Sequence, residues 1–210
     1  MTRSNGGETR RVRAIYARTA RHYDQMIGPV ERLLVGEGRV WAAGQAHGEV
    51  LEIAAGTGRN FAHYPRDTRV TALDLSSDML ARARPRIDRA PCPVQLLVGD
   101  AQALDLPDEG FDTVLATLAL CSIPDPDAAL AEMARVLRPG GRLLLVEHVA
   151  SLIAVVRTVQ RLLEPVAVRC AADHLLRRPE RDVAAAGLAI DYLHRSKAGI
   201  MMRLTATKLR

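Results

Sequence analysis

The chain has 210 residues, and this length predicts a single domain with its own hydrophobic core. Hydrophobic residues make up 48% of it and charged residues 25%, which is usual for a globular domain and excludes a disordered chain. Its apolar runs are short and interrupted by Arg, so we expect no membrane span, and the amino-terminal MTRSNGGETRRVR lacks the apolar core of a secretory signal. Three widely spaced cysteines form neither a disulfide framework nor a zinc motif, which favours a reducing, cytoplasmic location.

Charge is distributed unevenly along the chain. Residues 1–21 carry a net charge of +5, residues 22–150 carry −6, and residues 151–210 carry +6. Basic flanks around an acidic centre favour an anionic substrate or an anionic membrane surface as partner. Aromatic residues are only 3% of the chain and no nucleic-acid-binding motif is present, so we expect no nucleic acid partner.

The amino-terminal part is predicted to be helical. Two apolar-periodic segments, residues 8–26 and 29–43, read as helices that are separated by the breaker Gly28-Pro29. We therefore expect a helical cap over residues 1–45, followed by one larger unit over residues 46–210.

Strand and helix signals alternate in the central part of the chain. The predicted strands are 49–54, 69–74, 94–98, 111–117 and 142–149, and the predicted helices between them are 58–64, 77–90 and 126–138. Such alternation predicts a parallel α/β sheet with right-handed crossovers. Helices at 151–170 and 179–186 follow, then a hairpin of strands 188–194 and 200–209, so residues 151–187 read as a helical insert.

The loop after the first predicted strand is the strongest functional signal. The strand runs into small residues, which let a ligand approach the backbone closely at the carboxyl end of a parallel sheet. The dinucleotide fingerprint would need a third glycine at Phe61, and Glu52 at the loop entrance would repel a pyrophosphate. This argues against a nicotinamide-dependent oxidoreductase and favours a cationic ligand.

Two further acidic residues follow the next two strands. Asp74 ends the second strand, where a carboxylate can accept both hydroxyls of a ribose. Asp100 follows the third strand, where it can accept a hydrogen bond from an adenine amino group while the Ala101 amide faces a ring nitrogen. The bland alternative is that Asp74 caps a helix and Asp100 forms a turn.

Together these residues resemble the class I S-adenosylmethionine-dependent methyltransferases over residues 22–195. The motifs that carry the resemblance are EIAAGTG (52–58), DLSSDM (74–79), GDA (99–101), FDTV (111–114), LALCSIPD (118–125) and LRPGG (137–141). The resemblance implies a Rossmann-like α/β sheet in the order 3-2-1-4-5-7-6, with strand 7 antiparallel. Further stretches are similar to the ubiquinone/menaquinone-methylase branch and to small thiol and phospholipid N-methyltransferases: RNFAHYP (59–65), TLALCSIP (117–124), VEHV (146–149) and ADHLLRRP (172–179).

The resemblance also implies a site for S-adenosylmethionine and its product S-adenosylhomocysteine. It places the methionine part against the loop after the first strand, the ribose on Asp74, and the adenine between Leu75, Met79 and the end of the third strand. The residues assigned to the cofactor in this way are Tyr23, Glu52, Ala54, Ala55, Gly56, Gly58, Asn60, Asp74, Leu75, Met79, Asp100, Ala101, Thr117 and Leu118.

Two of the residues assigned to the cofactor, Ala54 and Tyr23, are less certain to fill the roles that the resemblance gives them. The family usually has Gly where this chain has Ala54, and the extra methyl is tolerable if φ is negative there, at the expense of somewhat weaker cofactor binding. Tyr23 is expected to face the methionine carboxylate, and Tyr16 competes with it for that role.

The reaction implied by the resemblance is in-line methyl transfer to a small hydrophobic acceptor at S, N or O. The protein mainly aligns the acceptor, so a mechanism by proximity alone is open. His148 and His174 are the candidate bases, and since we find no metal-ligand spacing we expect no metal. The acceptor pocket is expected between residues 12–43 and 151–180, which are apolar with Arg at intervals.

Two other functions stay open. The helix at 151–170 is also suited to lie on a membrane, which would make the chain a peripheral phospholipid or quinone methyltransferase. Alternatively, the chain is a non-catalytic module that binds S-adenosylmethionine as an effector. The sequence does not fix the oligomeric state.

Overall fold

A computed structural model describes residues 6–209 and contains a mixed sheet of seven strands in the order β3-β2-β1-β4-β5-β7-β6. The strands are β1 (Glu49–Ile53), β2 (Arg69–Asp74), β3 (Val94–Val98), β4 (Phe111–Thr117), β5 (Leu137–His148), β6 (Leu188–Ser196) and β7 (Met201–Lys208). Neighbouring strands are parallel except that β7 runs antiparallel to both β5 and β6. The predicted order and the antiparallel seventh strand are confirmed.

Helices cover both faces of this sheet. They are α1 (Gly6–Thr19), α2 (Tyr23–Leu34), α3 (Gly38–Ala43), α4 (Ser77–Ile87), α5 (Pro126–Val136), α6 (Ala154–Ala171) and α7 (Pro179–Ala185). Successive strand residues point to opposite faces, so Val114 packs with α5 and α7 while Leu115 packs with α3 and α4. The central strands are therefore apolar on both sides, as a covered parallel sheet requires.

The helix boundaries in the amino-terminal part differ from the prediction. Gly28-Pro29 does not separate two helices, because Pro29 lies inside α2. The chain instead breaks after Thr19, whose hydroxyl donates to the carbonyl oxygens of Ile15 and Tyr16 and so ends α1, and again at Gly36, which has φ +55°. The first five residues of the predicted cap lie outside the described residues, and the division at residue 45 stays a prediction.

The predicted helix at 58–64 is wrong. The segment forms only a single 3-10 turn, Phe61–His63, because Gly56 and Gly58 take positive φ angles of +59° and +76° that a right-handed helix does not allow. Ser76 is the N-cap of α4, because its side-chain hydroxyl accepts a hydrogen bond from the Met79 amide.

The carboxyl-terminal elements follow the prediction closely. α6, α7 and the β6–β7 hairpin lie within a few residues of the expected positions, and the hairpin turns at Ser196–Gly199. Among residues 6–209, no helix combines the length and the apolar character that crossing a membrane requires.

Candidate active site

A cleft lies at the carboxyl ends of β1, β2, β3 and β4, where ligands bind in open α/β sheets. Residues of α1 and α2 close it from above, so Tyr16 and Tyr23 both line it. Most residues assigned to the cofactor from the sequence also line this cleft: Tyr23, Ala54, Ala55, Gly56, Asp74, Leu75, Met79, Asp100, Ala101, Thr117 and Leu118.

Left-handed backbone shapes the loop after β1. Ala54 has φ +51°, so the condition under which its methyl was expected to be tolerable is not met. An L-residue in this conformation is strained by about 1–2 kcal/mol, whereas glycine is not. Gly56, at φ +59°, has no side chain, and a Cβ there would lie 3.4 Å from the methyl of Met79. The loop therefore presents bare backbone beside Met79.

Asp74 joins this loop to the end of β2. Its Oδ2 accepts from the Gly56 amide at 2.8 Å, and its Oδ1 accepts from the Ser76 amide at 2.8 Å. Burial raises the pKa of Asp74 to about 6, although both backbone hydrogen bonds favour the ionised form. Asp74 does not cap α4, whose N-cap is Ser76; it orders the loop and keeps further lone pairs for a ligand.

Three residues assigned to the cofactor lie behind the cleft rather than along it. Glu52 accepts from the Tyr64 hydroxyl at 2.7 Å and from Asn60 Nδ2 at 2.9 Å, so its carboxylate does not face a cationic ligand as expected. Burial raises the pKa of Glu52 to about 7. At Gly58 a Cβ would meet the ring of Phe61 at 2.5 Å, so this glycine is needed for packing. Glu52, Gly58 and Asn60 support the loop from beneath.

Asp100 is engaged within its own turn. Its Oδ1 accepts from both the backbone amide and the side-chain Nε2 of Gln102, at 3.0 and 2.8 Å. Gln102 Oε1 in turn accepts from the Asp125 amide at 2.9 Å, which links the β3 and β4 edges of the cleft. Sequence reasoning missed Gln102, because nothing distinguishes a glutamine at this turn from a solvated one.

Ion pairs fasten α2 to the floor of the cleft. Asp24 accepts from the Thr57 hydroxyl at 2.7 Å and from Arg86 at 2.6 Å. Burial opposes ionisation of Asp24, but the hydrogen bonds from Arg86 and Thr57 and the charges of Arg86 and Arg59 together outweigh it and lower the pKa of Asp24. Arg59 Nε donates to Glu31 at 2.8 Å. Sequence reasoning missed this network as well, since its members are far apart in the chain.

A second cavity of about 470 Å³ adjoins the cleft. Its walls come from α1, α2, the loop after β4 and α6, with apolar residues such as Ile27, Val30 and Leu163. Tyr16, Tyr23 and Leu118 line both the cleft and this cavity. The two tyrosine rings are 6.2 Å apart, so they form the partition between the two spaces.

His148 lines this second cavity at the end of β5. Its Nε2 lies 2.7 Å from Asp173 Oδ1, while its Nδ1 is buried and has no hydrogen-bond partner among residues 6–209. Burial disfavours the imidazolium, but the hydrogen bond and charge of Asp173, together with the charges of Glu147 and Glu164, outweigh this and raise the pKa of His148. His174 does not join it, because its Nδ1 lies 3.4 Å from Glu164 outside the cavity lining.

Cys121 completes a compact group with His148 and Asp173. Potential ligand atoms of the three side chains all lie within 4.8 Å of one another. Burial raises the pKa of the Cys121 thiol well above its ordinary value. Sequence spacing contained no sign of this group, since its members follow β4, end β5 and follow α6.

Comparison with known proteins places the chain among methyltransferases. A family model described as a methyltransferase domain matches residues 51–145. A phosphatidylethanolamine N-methyltransferase from Cereibacter sphaeroides is 44% identical over 105 residues, which cover 49% of this chain and 52% of that protein. The ubiquinone/menaquinone biosynthesis C-methyltransferase UbiE from Roseobacter denitrificans is 34% identical over 152 residues, covering 68% and 60%. The chain thus spans about half to three fifths of the length of these relatives.

A solved structure agrees with these matches at the level of the fold. A SAM-dependent methyltransferase from Thermotoga maritima superimposes with a TM-score of 0.69 at 22% identity, over 93% of this chain and 99% of that one. Sheet order, cleft and matches together indicate the class: the chain has the fold of the class I S-adenosylmethionine-dependent methyltransferases, and its residues 51–145 match their methyltransferase domain. Its likeness to the ubiquinone/menaquinone branch and to a phospholipid N-methyltransferase is confirmed, and its likeness to thiol methyltransferases stays a prediction.

The cofactor of this class is S-adenosylmethionine, and the cleft fits it. Asp74 presents a carboxylate whose oxygens each use one lone pair for a backbone amide, which leaves acceptor capacity for ribose hydroxyls. The bare backbone at Gly56 and the side chain of Met79 offer a close, apolar contact for a flat ring.

Proposed function

We propose that the chain transfers a methyl group from S-adenosylmethionine in the cleft to a hydrophobic acceptor in the second cavity. The observation that carries this proposal is the shared wall of Tyr16, Tyr23 and Leu118, which makes the two spaces neighbours. In-line attack needs the reacting atoms about 3–3.5 Å apart, so the sulfonium methyl and the acceptor atom must meet at a gap between these side chains. The named relatives support a lipid-like acceptor, since one acts on phosphatidylethanolamine and another in quinone biosynthesis.

We assign the cofactor contacts by their place in the cleft. Asp74 accepts the ribose hydroxyls, Leu75 and Met79 flank the adenine, and the turn at Asp100 and Ala101 meets the adenine edge. Ala54, Ala55, Gly56, Thr117 and Leu118 surround the methionine part, and Tyr23 and Tyr16 cover its carboxylate end. Glu52, Gly58 and Asn60 hold the loop in shape from beneath.

The chain's contribution to the reaction is alignment and exclusion of water. When bound, the cofactor supplies a sulfonium methyl group that is already electrophilic, so no further activation of the donor is needed. The apolar walls of the second cavity hold the acceptor and keep bulk water from competing. Neither ring nitrogen of His148 is open to the cavity, because Nε2 is engaged by Asp173 and Nδ1 is enclosed. We therefore favour alignment over direct proton removal by His148, and His174 is not among the residues that line the second cavity.

Blocking the second cavity tests this assignment. Ala171 lines it, so Ala171→Trp is expected to occupy part of it and to reduce turnover strongly on quinol or phosphatidylethanolamine acceptors. The dissociation constant for S-adenosylhomocysteine, measured by calorimetry, is expected to stay within twofold of wild type. Ala154→Trp on the exposed start of α6 is the matched control. Equal turnover in both variants would contradict the proposal, and cofactor binding without turnover on any acceptor would support a binding module instead.

We further propose that the acceptor is taken from an anionic lipid surface. Large apolar side chains stand exposed on α2 and α6 around the second cavity, among them Leu33 at 68%, Leu162 at 74% and Val155 at 75% exposure. Arg32 and Arg161 lie on the same helices and complement acidic headgroups.

Vesicle sedimentation separates this idea from methylation of a dissolved metabolite. Wild type is expected to sediment with phosphatidylglycerol vesicles and to be released by salt, and Leu33→Asp with Leu162→Asp is expected to remain in the supernatant. Ile190→Asp, which alters an exposed apolar residue of β6, is the control. Wild type that stays in the supernatant at every lipid composition would exclude the lipid surface.

A further inference from the structure

We propose that Cys121, His148 and Asp173 bind a zinc ion at the wall of the second cavity, with one coordination position open to that cavity. Nothing in the methyl-transfer proposal requires this ion, so the two proposals can fail separately. The expectation from sequence spacing was that no metal binds, and it rested on local motifs alone. Folding brings together ligands that no local motif connects.

The geometry is close to that of a three-ligand zinc site. The three potential ligand atoms lie within 4.8 Å of one another. Bond lengths of about 2.0–2.3 Å in a tetrahedral site place ligand atoms roughly 3.3–3.8 Å apart. The His148–Asp173 contact of 2.7 Å would have to open slightly, and a carboxylate on the loop after α6 can make that change.

The donor set matches zinc in chemical type and charge. Thiolate, imidazole and carboxylate are the three ligand types that zinc uses in proteins. A thiolate and a carboxylate carry two negative charges, which neutralise the dication in a buried site. Without a cation, burial keeps the Cys121 thiol protonated, whereas a bound dication favours the thiolate.

The environment of the His148 ring argues against a simple role as a general base that is oriented by Asp173. A base acting on an acceptor needs an open ring nitrogen, and His148 has none, since Asp173 contacts Nε2 and Nδ1 is enclosed. Cys121, His148 and Asp173 nevertheless all line the second cavity. Three protein ligands with an open fourth position are the arrangement of catalytic rather than structural zinc sites.

The open position indicates which acceptor atom the site would take. If the proposed methyl transfer holds, a thiol or an acidic hydroxyl of the acceptor is the fourth ligand. On coordination its proton passes to water, and its lone pair then forms the bond to the methyl carbon as the carbon–sulfonium bond breaks. An amine acceptor gains less from this site, because it attacks as a neutral nucleophile.

Cobalt substitution tests the site without relying on activity. Full-length protein is stripped with a chelator, dialysed and titrated with Co²⁺, which reports tetrahedral thiolate ligation by a near-ultraviolet charge-transfer band and strong visible bands. We expect both bands to saturate at one equivalent and to be displaced by Zn²⁺. Cys121→Ser and His148→Asn are expected to lose the bands, and Asp173→Asn to weaken Co²⁺ binding at least tenfold.

Matched controls come from the same region of the chain. Cys170→Ser and His174→Asn change the same residue types outside the group and are expected to keep the wild-type cobalt spectrum. Because Cys121 is buried, its variants are checked for folding by circular dichroism. A second measurement needs no variant: Zn²⁺ should protect Cys121 of the wild-type protein from alkylation, and peptide mass spectrometry measures this protection. A wild-type titration without a thiolate band, or a band that survives Cys121→Ser in folded protein, would overturn the site.

Discussion

The cofactor cleft and the neighbouring apolar cavity are built in different ways. The cleft is formed by short loops at the ends of adjacent strands, so residues close in sequence, such as Ala54 and Gly56, act together. The cavity is formed mainly by side chains from α1, α2, α6 and the loops that follow β4 and α6, with further residues at the end of β5 and the start of β7, which meet only in the folded chain. The parallel sheet fixes the cleft directly, whereas the cavity depends on how the outer helices pack. Under the proposed function, the sheet therefore determines where the cofactor binds, and the helices around it determine which acceptor fits.

The largest predicted effect concerns the carboxylate at the end of β2. Asp74→Ala is expected to weaken S-adenosylhomocysteine binding by about 1.5–3 kcal/mol, the range for a hydrogen bond to a charged group. Calorimetry measures this change, and Asp78→Asn, on the exposed first turn of α4, is the control. An unchanged dissociation constant would show that Asp74 does not bind the cofactor. Cofactor binding in the cleft would then depend on the covering helices, as the shape of the second cavity does.

The next effect is a pH dependence that belongs to the cleft. The pKa of Asp74 is raised to about 6, and its ionised carboxylate accepts hydrogen bonds from ribose hydroxyls more strongly than the protonated acid does. Cofactor affinity is therefore expected to be full above pH 7 and to fall by about tenfold for each unit below pH 6. Calorimetry between pH 5 and 8 measures it, and the Asp74→Asn variant should lack the dependence. A flat profile in wild type would contradict the assigned role.

A smaller effect tests whether α2 belongs functionally to both regions. Asp24→Asn removes the charge that holds Arg86 and Thr57, and we expect it to weaken cofactor binding by about 1 kcal/mol, mainly through faster dissociation. Stopped-flow release of the cofactor measures it. Glu37→Gln just before α3 lies outside this network and is the control. Identical release rates in wild type and both variants would show that α2 does not cover the bound cofactor.

The smallest effect is one of stability. Ala54→Gly removes the backbone strain of an alanine in the left-handed conformation. We expect it to raise the free energy of unfolding by about 0.5–1 kcal/mol, once the larger conformational entropy of glycine in the unfolded chain is subtracted. Urea unfolding measures it. Ala55→Gly, at a neighbouring buried position outside the positive-φ set, should instead lower stability. A destabilised Ala54→Gly variant would mean that the methyl contributes packing that outweighs its strain.

The sequence was sufficient to predict features that depend on residues close together in the chain. The sheet order and the residues at strand ends, such as Asp74, were predictable because strand and turn signals are local. The helix expected at 58–64 was wrong because two glycines take left-handed conformations for the loop. Glu52 was placed correctly at the strand end but given the wrong partner, since nothing local shows that Tyr64 and Asn60 turn back to it.

The cavity was predictable only as a region. Residues 12–43 and 151–180, the segments expected to enclose the acceptor, do line the second cavity, because apolar periodicity marks helices that pack against other elements. That the acceptor binds there stays a prediction. The particular side chains were not predictable, since contacts such as His148 with Asp173 join residues from separate elements. Helix packing angles decide such contacts, and a single sequence does not encode them in any short motif.

A crystal structure with S-adenosylhomocysteine tests the central claim most directly. The account predicts that the ribose lies on Asp74 and that the sulfur points at the partition of Tyr16, Tyr23 and Leu118, toward the second cavity. A ligand whose sulfur points away from that partition, or one that sits in the apolar cavity instead of the cleft, would contradict it.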